Sequence, residues 1–253
     1  MIGRLELGDR QLESPLGRLG PLAKLSVAAI SLLGLALTLD PRAPSLVVAV
    51  VVVAGLVLGR IPPRALGLRL MPFILAALGV GLFNAVTASA LDPAGMTFVR
   101  VGPVRLTDSG ALAGLGLGLR VLAVAIVGAV FLLTTDATRL VDALAQVARV
   151  PERFAYGAFA AYQAVPQLGR SLVALRQARR IRGLGGSWHP RLLVGLLVLA
   201  IRHADRLAVA MDARAFGARP RTRYRLERWT RGDTAFVLLA GGGLVAVLLG
   251  VRA

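Results

Sequence analysis

Long runs of apolar residues alternate with short polar segments along most of the chain. A helix needs about 20 mostly apolar residues to cross the hydrocarbon core of a bilayer, and four or five runs approach that length. The second and the fifth are short for a full crossing. The pattern predicts an all-α polytopic membrane protein with about five transmembrane helices. The runs are 22–39, 44–59, 70–90, 111–135 and 233–251.

A different pattern occupies residues 136–232, where arginines are interspersed with apolar residues at helical spacing. Leu168, Leu172 and Leu175 are an example, and such spacing is typical of an amphipathic helix. Prolines start helices readily and interrupt them when internal, so they divide this region. We expect long amphipathic helices at 136–149, at 152–184 with a break near Pro166, and at 190–217.

The composition supports a membrane protein whose charge is unevenly distributed. The chain has 253 residues, of which 56% are hydrophobic, and a formal net charge of +17. Residues 136–232 contain 18 arginines and 6 acidic residues, so most of the excess lies there. The absence of cysteine excludes disulfides, thiolate metal sites and cysteine nucleophiles. We divide the chain into N-terminal transmembrane helices (1–135), a basic helical region (136–232) and a C-terminal transmembrane helix (233–253).

Loop charge gives the orientation, because arginine and lysine accumulate on the cytoplasmic side of short membrane loops. The loops around Asp40 and at 92–108 have no positive excess and are assigned to the outside. Residues 136–232 are then cytoplasmic, and Lys24 is expected to extend its ammonium to the interface. No signal peptide is expected, because the first run lacks a small-residue cleavage pattern. The inner cations before the first run and after the second are Arg4, Arg10, Arg18, Arg60, Arg64 and Arg69.

Side chains suited to catalysis or metal binding form no recognisable group in the sequence. His189 and His203 are the only histidines and have no third ligand nearby, so we expect surface or packing roles and no metal site. There is neither a Gly-x-Ser-x-Gly nucleophile turn nor a Walker glycine loop. We therefore assign no catalytic residue and expect that the chain is not an enzyme and does not itself hydrolyse ATP.

The fourth apolar run contains two unusual features. Gly114, Gly116 and Gly118 are spaced too closely for a phosphate cradle, and glycines in membrane helices more often serve helix packing. Arg120 is an intramembrane charge, which indicates either a polar contact inside the helix bundle or a side chain that extends to the interface. We leave Arg120 outside the candidate site.

The basic helices have three interpretations. The positive-inside rule and anionic lipid head groups account for the charge in general, each cation near the surface contributing on the order of 1 kcal/mol. Nucleic-acid binding has little support, since no recognised fold or aromatic stacking platform accompanies the charge. The third interpretation is docking to a cytosolic partner with acidic pockets, because Arg182 and Arg214 have small neighbours that allow close approach. Charge alone leaves the choice open.

Four segments, as a linked set in this order, resemble a known family. "GPLAKL" at 20–25 resembles its N-terminal Asp-Pro-Arg-Thr-Lys-Leu, and "TTDATRLVDALAQVARVP" at 134–151 resembles its Thr-Thr segment, short helix and proline. "YQAVPQLGRSLVALRQARRIRG" at 162–183 and "RHADRLAVAMDARAFGARPRTRY" at 202–224 resemble its two Ala-Arg-Gly segments. Over most of its length the chain is similar to the transmembrane T component of energy-coupling factor (ECF) transporters, the EcfT/CbiQ/BioN family.

The resemblance implies a docking role for two arginine motifs. In that family they lie on cytoplasmic coupling helices and dock into grooves of two ATPase subunits. Here they depart from the family's Ala-Arg-Gly pattern at Ile181 in the first motif and at Ala215 in the second. The implied docking residues are Ile181, Arg182, Gly183, Ala213, Arg214 and Ala215, with Arg179 and Arg180 as accessory candidates.

The resemblance also implies partners and an activity. The chain would transmit ATP-driven movement from two cytosolic ABC-type ATPase subunits to a substrate-binding integral membrane subunit, the S component, for uptake of a vitamin or a transition-metal ion. ATP would be hydrolysed by the partners, this chain would bind no cofactor, and the location would be a bacterial or archaeal cell membrane. The alternative is a self-contained permease or a lipid-acting membrane enzyme with a basic cytoplasmic face.

Overall fold

The computed structural model describes residues 13–38, 40–91, 97–101, 104–184, 189–218 and 225–250. Most of these residues are helical. The chain forms two compact units, a membrane unit (Met1–Ala143 with Arg228–Ala253) and a basic unit (Leu144–Glu227). The division at residues 135 and 232, which we made from the sequence, stays a prediction.

The membrane unit is built of apolar helices. They are α1 (Pro15–Arg18), α2 (Pro21–Leu37), α3 (Arg42–Val57), α4 (Pro63–Leu91), α5 (Asp108–Thr134), α9 (Arg231–Phe236) and α10 (Gly242–Gly250). In the described part of the chain, α4 and α5 are long and apolar enough to cross a bilayer, whereas α2 and α3 are shorter apolar helices. The fifth apolar run forms α9, a π-helical segment (Val237–Gly241) and α10 in succession. A mostly helical structure with helices able to cross a bilayer is confirmed, while five crossings remain a prediction.

Most of the apolar runs correspond closely to helices, but α4 differs. It begins at Pro63, although the apolar run that predicted it begins at residue 70. Proline at the first helical position favours this start, because its fixed φ angle suits the helix and its missing N–H would have had no partner there. Arg64 and Arg69 therefore lie within the helix. They lower the hydropathy of its first turns without ending it.

A short β-hairpin departs from the all-α expectation. Strands β1 (Thr97–Val101) and β2 (Val104–Thr107) pair antiparallel directly before α5. Thr107 then caps α5, because its Oγ1 accepts a hydrogen bond from the Gly110 backbone N–H at 3.2 Å. The Thr107 backbone N–H also donates to Ser89 Oγ on α4 at 2.9 Å. These bonds connect the end of α4 to the start of α5.

Helices α4 and α5 pack closely because small residues line their contact. A Cβ atom added at Gly118 would lie 2.9 Å from the Ala77 carbonyl oxygen, and one added at Gly114 would collide with the Gly81 carbonyl oxygen. Small residues four apart allow membrane helices to approach to this degree. The predicted packing role is confirmed for Gly114 and Gly118. The small residues of this contact are Ala77, Gly81 and Ala85 on α4 and Gly110, Gly114 and Gly118 on α5.

The C-terminal helical segment, which runs from α9 to α10 (Arg231–Gly250), is linked to α2 through a buried carboxylate. Asp233 is 2% exposed, and its Oδ1 accepts a hydrogen bond from the Gly20 backbone N–H at 2.6 Å. Its Oδ2 accepts hydrogen bonds from the backbone N–H and the hydroxyl of Thr230, at 2.9 and 2.8 Å. Gly20 is the N-cap residue of α2 and has no side chain to cap it. Asp233 therefore supplies this cap from the far end of the chain.

The Lys24 ammonium is buried against the end of α5, and its expected extension to the interface stays a prediction. The side chain is 6% exposed, and its Nζ donates a hydrogen bond to the Thr134 carbonyl oxygen at 2.6 Å. Thr134 is the last residue of α5, where the final carbonyls of a helix have no intrahelical partner. The ammonium satisfies one of these carbonyls and joins α2 to the end of α5.

The basic unit is a pair of long helices. The chain passes into it within α6 (Ala137–Gln146), and its two long helices are α7 (Glu152–Ile181) and α8 (Pro190–Ala213). The expected break near Pro166 is wrong, because α7 continues through that residue. Proline removes one backbone hydrogen bond, and the segments on both sides of Pro166 are long enough to keep their own. The helix expected at 136–149 is shorter than predicted and ends at Gln146.

Replacing Gly114 with alanine tests the close contact between α4 and α5. We expect Gly114→Ala to destabilise the protein by about 1–3 kcal/mol, because the new methyl group overpacks against the backbone of Gly81. Thermal unfolding in detergent measures the effect. Gly128→Ala, on the same helix but with open space around the added Cβ, should be neutral or slightly stabilising. Equal effects of the two substitutions would contradict the packing described.

Candidate functional site

The first arginine motif forms the C-terminal cap of α7. Arg182 is the cap residue, and Gly183 follows with a φ angle of +70°. The Gly183 backbone N–H donates to the Arg180 carbonyl oxygen at 3.0 Å, and the Leu184 N–H donates to the Arg179 carbonyl oxygen at 3.1 Å. These two bonds define a Schellman motif, in which a residue in the left-handed region ends the helix and satisfies its last carbonyls.

The second arginine motif forms the same cap at the end of α8. Arg214 is the cap residue, and Ala215 follows with a φ angle of +53°. The Ala215 backbone N–H donates to the Asp212 carbonyl oxygen at 2.9 Å, and the Phe216 N–H donates to the Met211 carbonyl oxygen at 3.0 Å. The hydrogen bonds match those of the first motif residue for residue. Arg182 and Arg214 therefore occupy equivalent positions on two helix ends.

The shared cap shows what the departure from the Ala-Arg-Gly pattern at Ala215 means for the backbone. The third position of each motif needs a positive φ angle, which glycine adopts without strain and which costs an L-residue roughly 1–2 kcal/mol. Ala215 nevertheless adopts this conformation. Its neighbour Phe216 packs edge-to-face against Tyr156 of α7, with ring centroids 6.5 Å apart. This contact helps to hold the turn in place.

Exposure separates the implied docking residues from one accessory candidate. Ile181 is 87% exposed. The other five docking residues are exposed as well, and so is Arg180. Arg179 is only half-buried, and its Nε is enclosed without a hydrogen-bond partner in the described part of the chain. The two guanidinium groups at Arg182 and Arg214 lie at helix C-termini, where positive charge is favourable. Both are accessible to an anionic partner group.

Gln146, which sequence reasoning did not identify, binds the backbone of the segment that leads out of the basic unit. Its side-chain Nε2 donates to the Arg225 carbonyl oxygen at 2.9 Å, and its Oε1 accepts from the Glu227 backbone N–H at 3.0 Å. The amide thus pairs with the backbone as a neighbouring strand would. Nothing local in the sequence indicates this contact, because the partners are about 80 positions apart.

The structure also describes the two histidines and Arg120, the other residues that the sequence analysis singled out. His189 caps α8, since its Nδ1 accepts a hydrogen bond from the Arg191 backbone N–H at 3.1 Å. His203 lies half-buried on α8. Within the described ranges, no three histidine or acidic side chains come together as a metal site would require. Arg120 lies near the middle of α5, and its Nε is buried without a hydrogen-bond partner among the described residues.

Exchanging glycine and alanine at the two caps tests their equivalence. We expect Gly183→Ala to accelerate amide hydrogen exchange at Leu184 about 5- to 30-fold, because an alanine with positive φ weakens the cap. Ala215→Gly should slow exchange at Phe216, since it removes the same strain. Gly169→Ala, within α7 and with open space around its Cβ, is the control and should not accelerate exchange. Unchanged exchange at Leu184 in Gly183→Ala would contradict the cap.

Comparison with known proteins gives the chain a family. The model of the CbiQ family, described as cobalt transport protein, matches residues 13–224. An ECF transporter transmembrane protein EcfT of Heliobacterium modesticaldum is 30% identical, and the alignment covers both chains in full. One from Thermotoga maritima is 48% identical over 60 residues, which is 23% of this chain and 22% of that protein.

A third relative is a longer protein. A putative ABC transporter ATP-binding protein of Bifidobacterium longum is 27% identical to 66% of this chain, and the match covers only 23% of that protein. The two EcfT relatives are named as transporter transmembrane components and not as enzymes, which confirms that this chain is not an enzyme. The chain belongs to the CbiQ family, the family of the transmembrane T components of ECF transporters.

Proposed function

We propose that the chain couples ATP hydrolysis by two cytosolic ABC-type ATPase subunits to solute uptake through a separate substrate-binding membrane subunit. The observation that carries the proposal is the pair of equivalent, exposed arginines at the ends of α7 and α8. Two equivalent sites suit two similar partner subunits. Each ATPase would bind one motif, so that movement of the ATPase pair would move the two helix ends.

The chemistry of each motif suits a groove with carboxylate groups. A guanidinium group forms paired, charge-assisted hydrogen bonds with a carboxylate, and its planar fork fixes the geometry of the contact. The left-handed residue after each arginine turns the backbone away from the helix axis, so that the arginine stands at the end of the helix. Ile181 beside Arg182 and Ala213 beside Arg214 would complete the contact with apolar surface.

The longer Bifidobacterium relative supports an ATPase as the partner. In that protein a region similar to this chain belongs to a polypeptide named as an ATP-binding protein. Fusion of two parts in one chain is expected where they work together. ATP would be bound and hydrolysed by the partners, and this chain would hold no cofactor.

Exposed apolar side chains on the basic unit supply a second surface. Many large apolar residues of α7 and α8 are exposed in the described part of this unit, and such a surface is typical of a protein interface. We infer that they contact the S component, which would carry the specificity for a vitamin or a transition-metal ion. The chain itself would be a multi-pass protein of a bacterial or archaeal cell membrane, with the basic unit cytoplasmic. The exposed residues include Phe154, Tyr162, Val165, Val173, Leu193, Val194, Leu197 and Ile201.

Charge reversal at the two motifs tests the proposal. We expect Arg182→Glu and Arg214→Glu each to weaken association with the ATPases by about 2–5 kcal/mol, because each leaves a partner carboxylate unpaired and adds like-charge repulsion. This corresponds to a loss of affinity of roughly 30- to several thousand-fold. Either substitution should abolish uptake, since each motif would serve a different ATPase. Co-purification and transport in reconstituted vesicles measure the two effects.

The controls are arginines of the same unit that lie outside the motifs. Arg202 on α8 and Arg225 after it are both exposed. Their reversal to glutamate should cost only on the order of 1–2 kcal/mol through lipid electrostatics. If all four substitutions weakened the complex equally, generic positive charge would account for binding and the motifs would have no special role.

A further inference from the structure

The chain passes between the membrane unit and the basic unit at two places. It enters the basic unit within α6 and leaves it after Glu227. We call α6 the entry connection and residues 225–233 the exit connection. Along the covalent chain, movement of the helix ends that carry the two arginine motifs reaches the membrane unit through these connections.

Gln146 joins the two connections on the side of the basic unit. It is the last residue of α6, and its Nε2 donates to the Arg225 carbonyl oxygen at 2.9 Å while its Oε1 accepts from the Glu227 backbone N–H at 3.0 Å. One planar amide uses a donor and its acceptor on the same short segment, so the two bonds fix both the distance and the orientation of that segment. The exit connection cannot move away from α6 without breaking both bonds.

In the membrane unit both connections bind the residues that precede α2. Arg139 of the entry connection donates from Nη1 to the Gly17 carbonyl oxygen at 3.0 Å. Asp233 of the exit connection accepts a hydrogen bond from the Gly20 backbone N–H at 2.6 Å. A displacement shared by both connections therefore acts on one short segment, residues 17–20. A displacement of one connection alone is opposed by the bonds of the other.

The two Gln146 bonds contribute little to the stability of the fold. Arg225 is exposed, and Gln146 and Glu227 are only half-buried. Water would replace the amide at such positions, and a hydrogen bond exchanged for one with water contributes little net stability. The bonds therefore matter more for how the two connections move than for whether the chain folds.

We propose that Gln146 is a positioning residue for coupling. Its amide makes the entry and exit connections move together, so that movement of the arginine motifs reaches the start of α2 through both at once. The proposal rests on the proposed function, because the movement would come from ATPases bound at Arg182 and Arg214.

Hydrogen exchange in the free chain tests the bridge itself. We expect Gln146→Met to accelerate exchange of the Glu227 backbone amide about five- to tenfold, because the amide loses its acceptor. The thermal unfolding midpoint should stay nearly unchanged, which shows that the variant is folded. Gln167→Met, at an exposed glutamine of α7, is the matched control and should leave exchange at Glu227 unchanged. Unchanged exchange in Gln146→Met would overturn the proposal.

A fluorescent amino acid at position 18 tests whether movement reaches the start of α2. Arg18 is exposed and lies between Gly17 and Gly20. In the transporter purified with its ATPases, we expect addition of ATP to change the emission. Gln146→Met should lose most of this change while retaining the same amount of ATPase, and Gln167→Met should keep it.

A covalent link should restore what Gln146→Met removes. The chain has no cysteine, so Gln146→Cys and Leu226→Cys introduce the only two. Leu226 is 64% exposed and lies between the two residues that Gln146 binds. The emission change should be lost in this double variant and return once a short bifunctional maleimide joins the two cysteines.

The outcomes separate this proposal from the proposed function. A full emission change in Gln146→Met with its ATPases retained would overturn the role of Gln146, and so would a joined double variant that stays silent. No emission change in the unmodified transporter would show that movement does not reach the start of α2, which also overturns the proposal. An unmodified chain that retains no ATPase would instead contradict the proposed function, on which this role depends.

Discussion

The left-handed residue after each exposed arginine is the constraint on which the proposed function depends. A helix leaves its last carbonyls without intrahelical partners, and the chain at the ends of α7 and α8 satisfies them by turning through Gly183 and Ala215. This turn places Arg182 and Arg214 at equivalent positions. A continued helix would instead carry each arginine on its side. The local backbone geometry therefore sets where the charge is presented.

A few contacts between residues that are far apart in the sequence hold the membrane unit together. Asp233 caps α2 at Gly20, and Lys24 on the same helix binds the end of α5. Small residues let α4 and α5 approach closely. Each contact satisfies or buries backbone groups where lipid offers no hydrogen-bond partner. These contacts hold α2, α5 and the C-terminal helical segment together.

The sequence predicted the features that depend on how apolar a segment is and on local residue patterns. The apolar runs gave the membrane helices, the spacing of leucines and arginines gave α7 and α8, and the motif order gave the family. Proline chemistry alone predicted a break at Pro166, but the long helical segments on either side override it. The Asp233 cap, the Gln146 bridge and the β-hairpin depend on partners or pairing that local patterns do not contain. Gly183 in the first motif is a sequence signal for a left-handed cap. The second motif has Ala215 at the same position and lacks that signal.

Photo-crosslinking in the assembled transporter tests the central claim most directly. A photoreactive residue at position 181 or 213 should join an ATPase subunit, because both positions adjoin the capping arginines. The controls are positions 165 and 197, which are exposed on α7 and α8 about 24 Å earlier along each helix and should not join an ATPase. ATPase crosslinks from 165 and 197 with none from 181 and 213 would contradict the account.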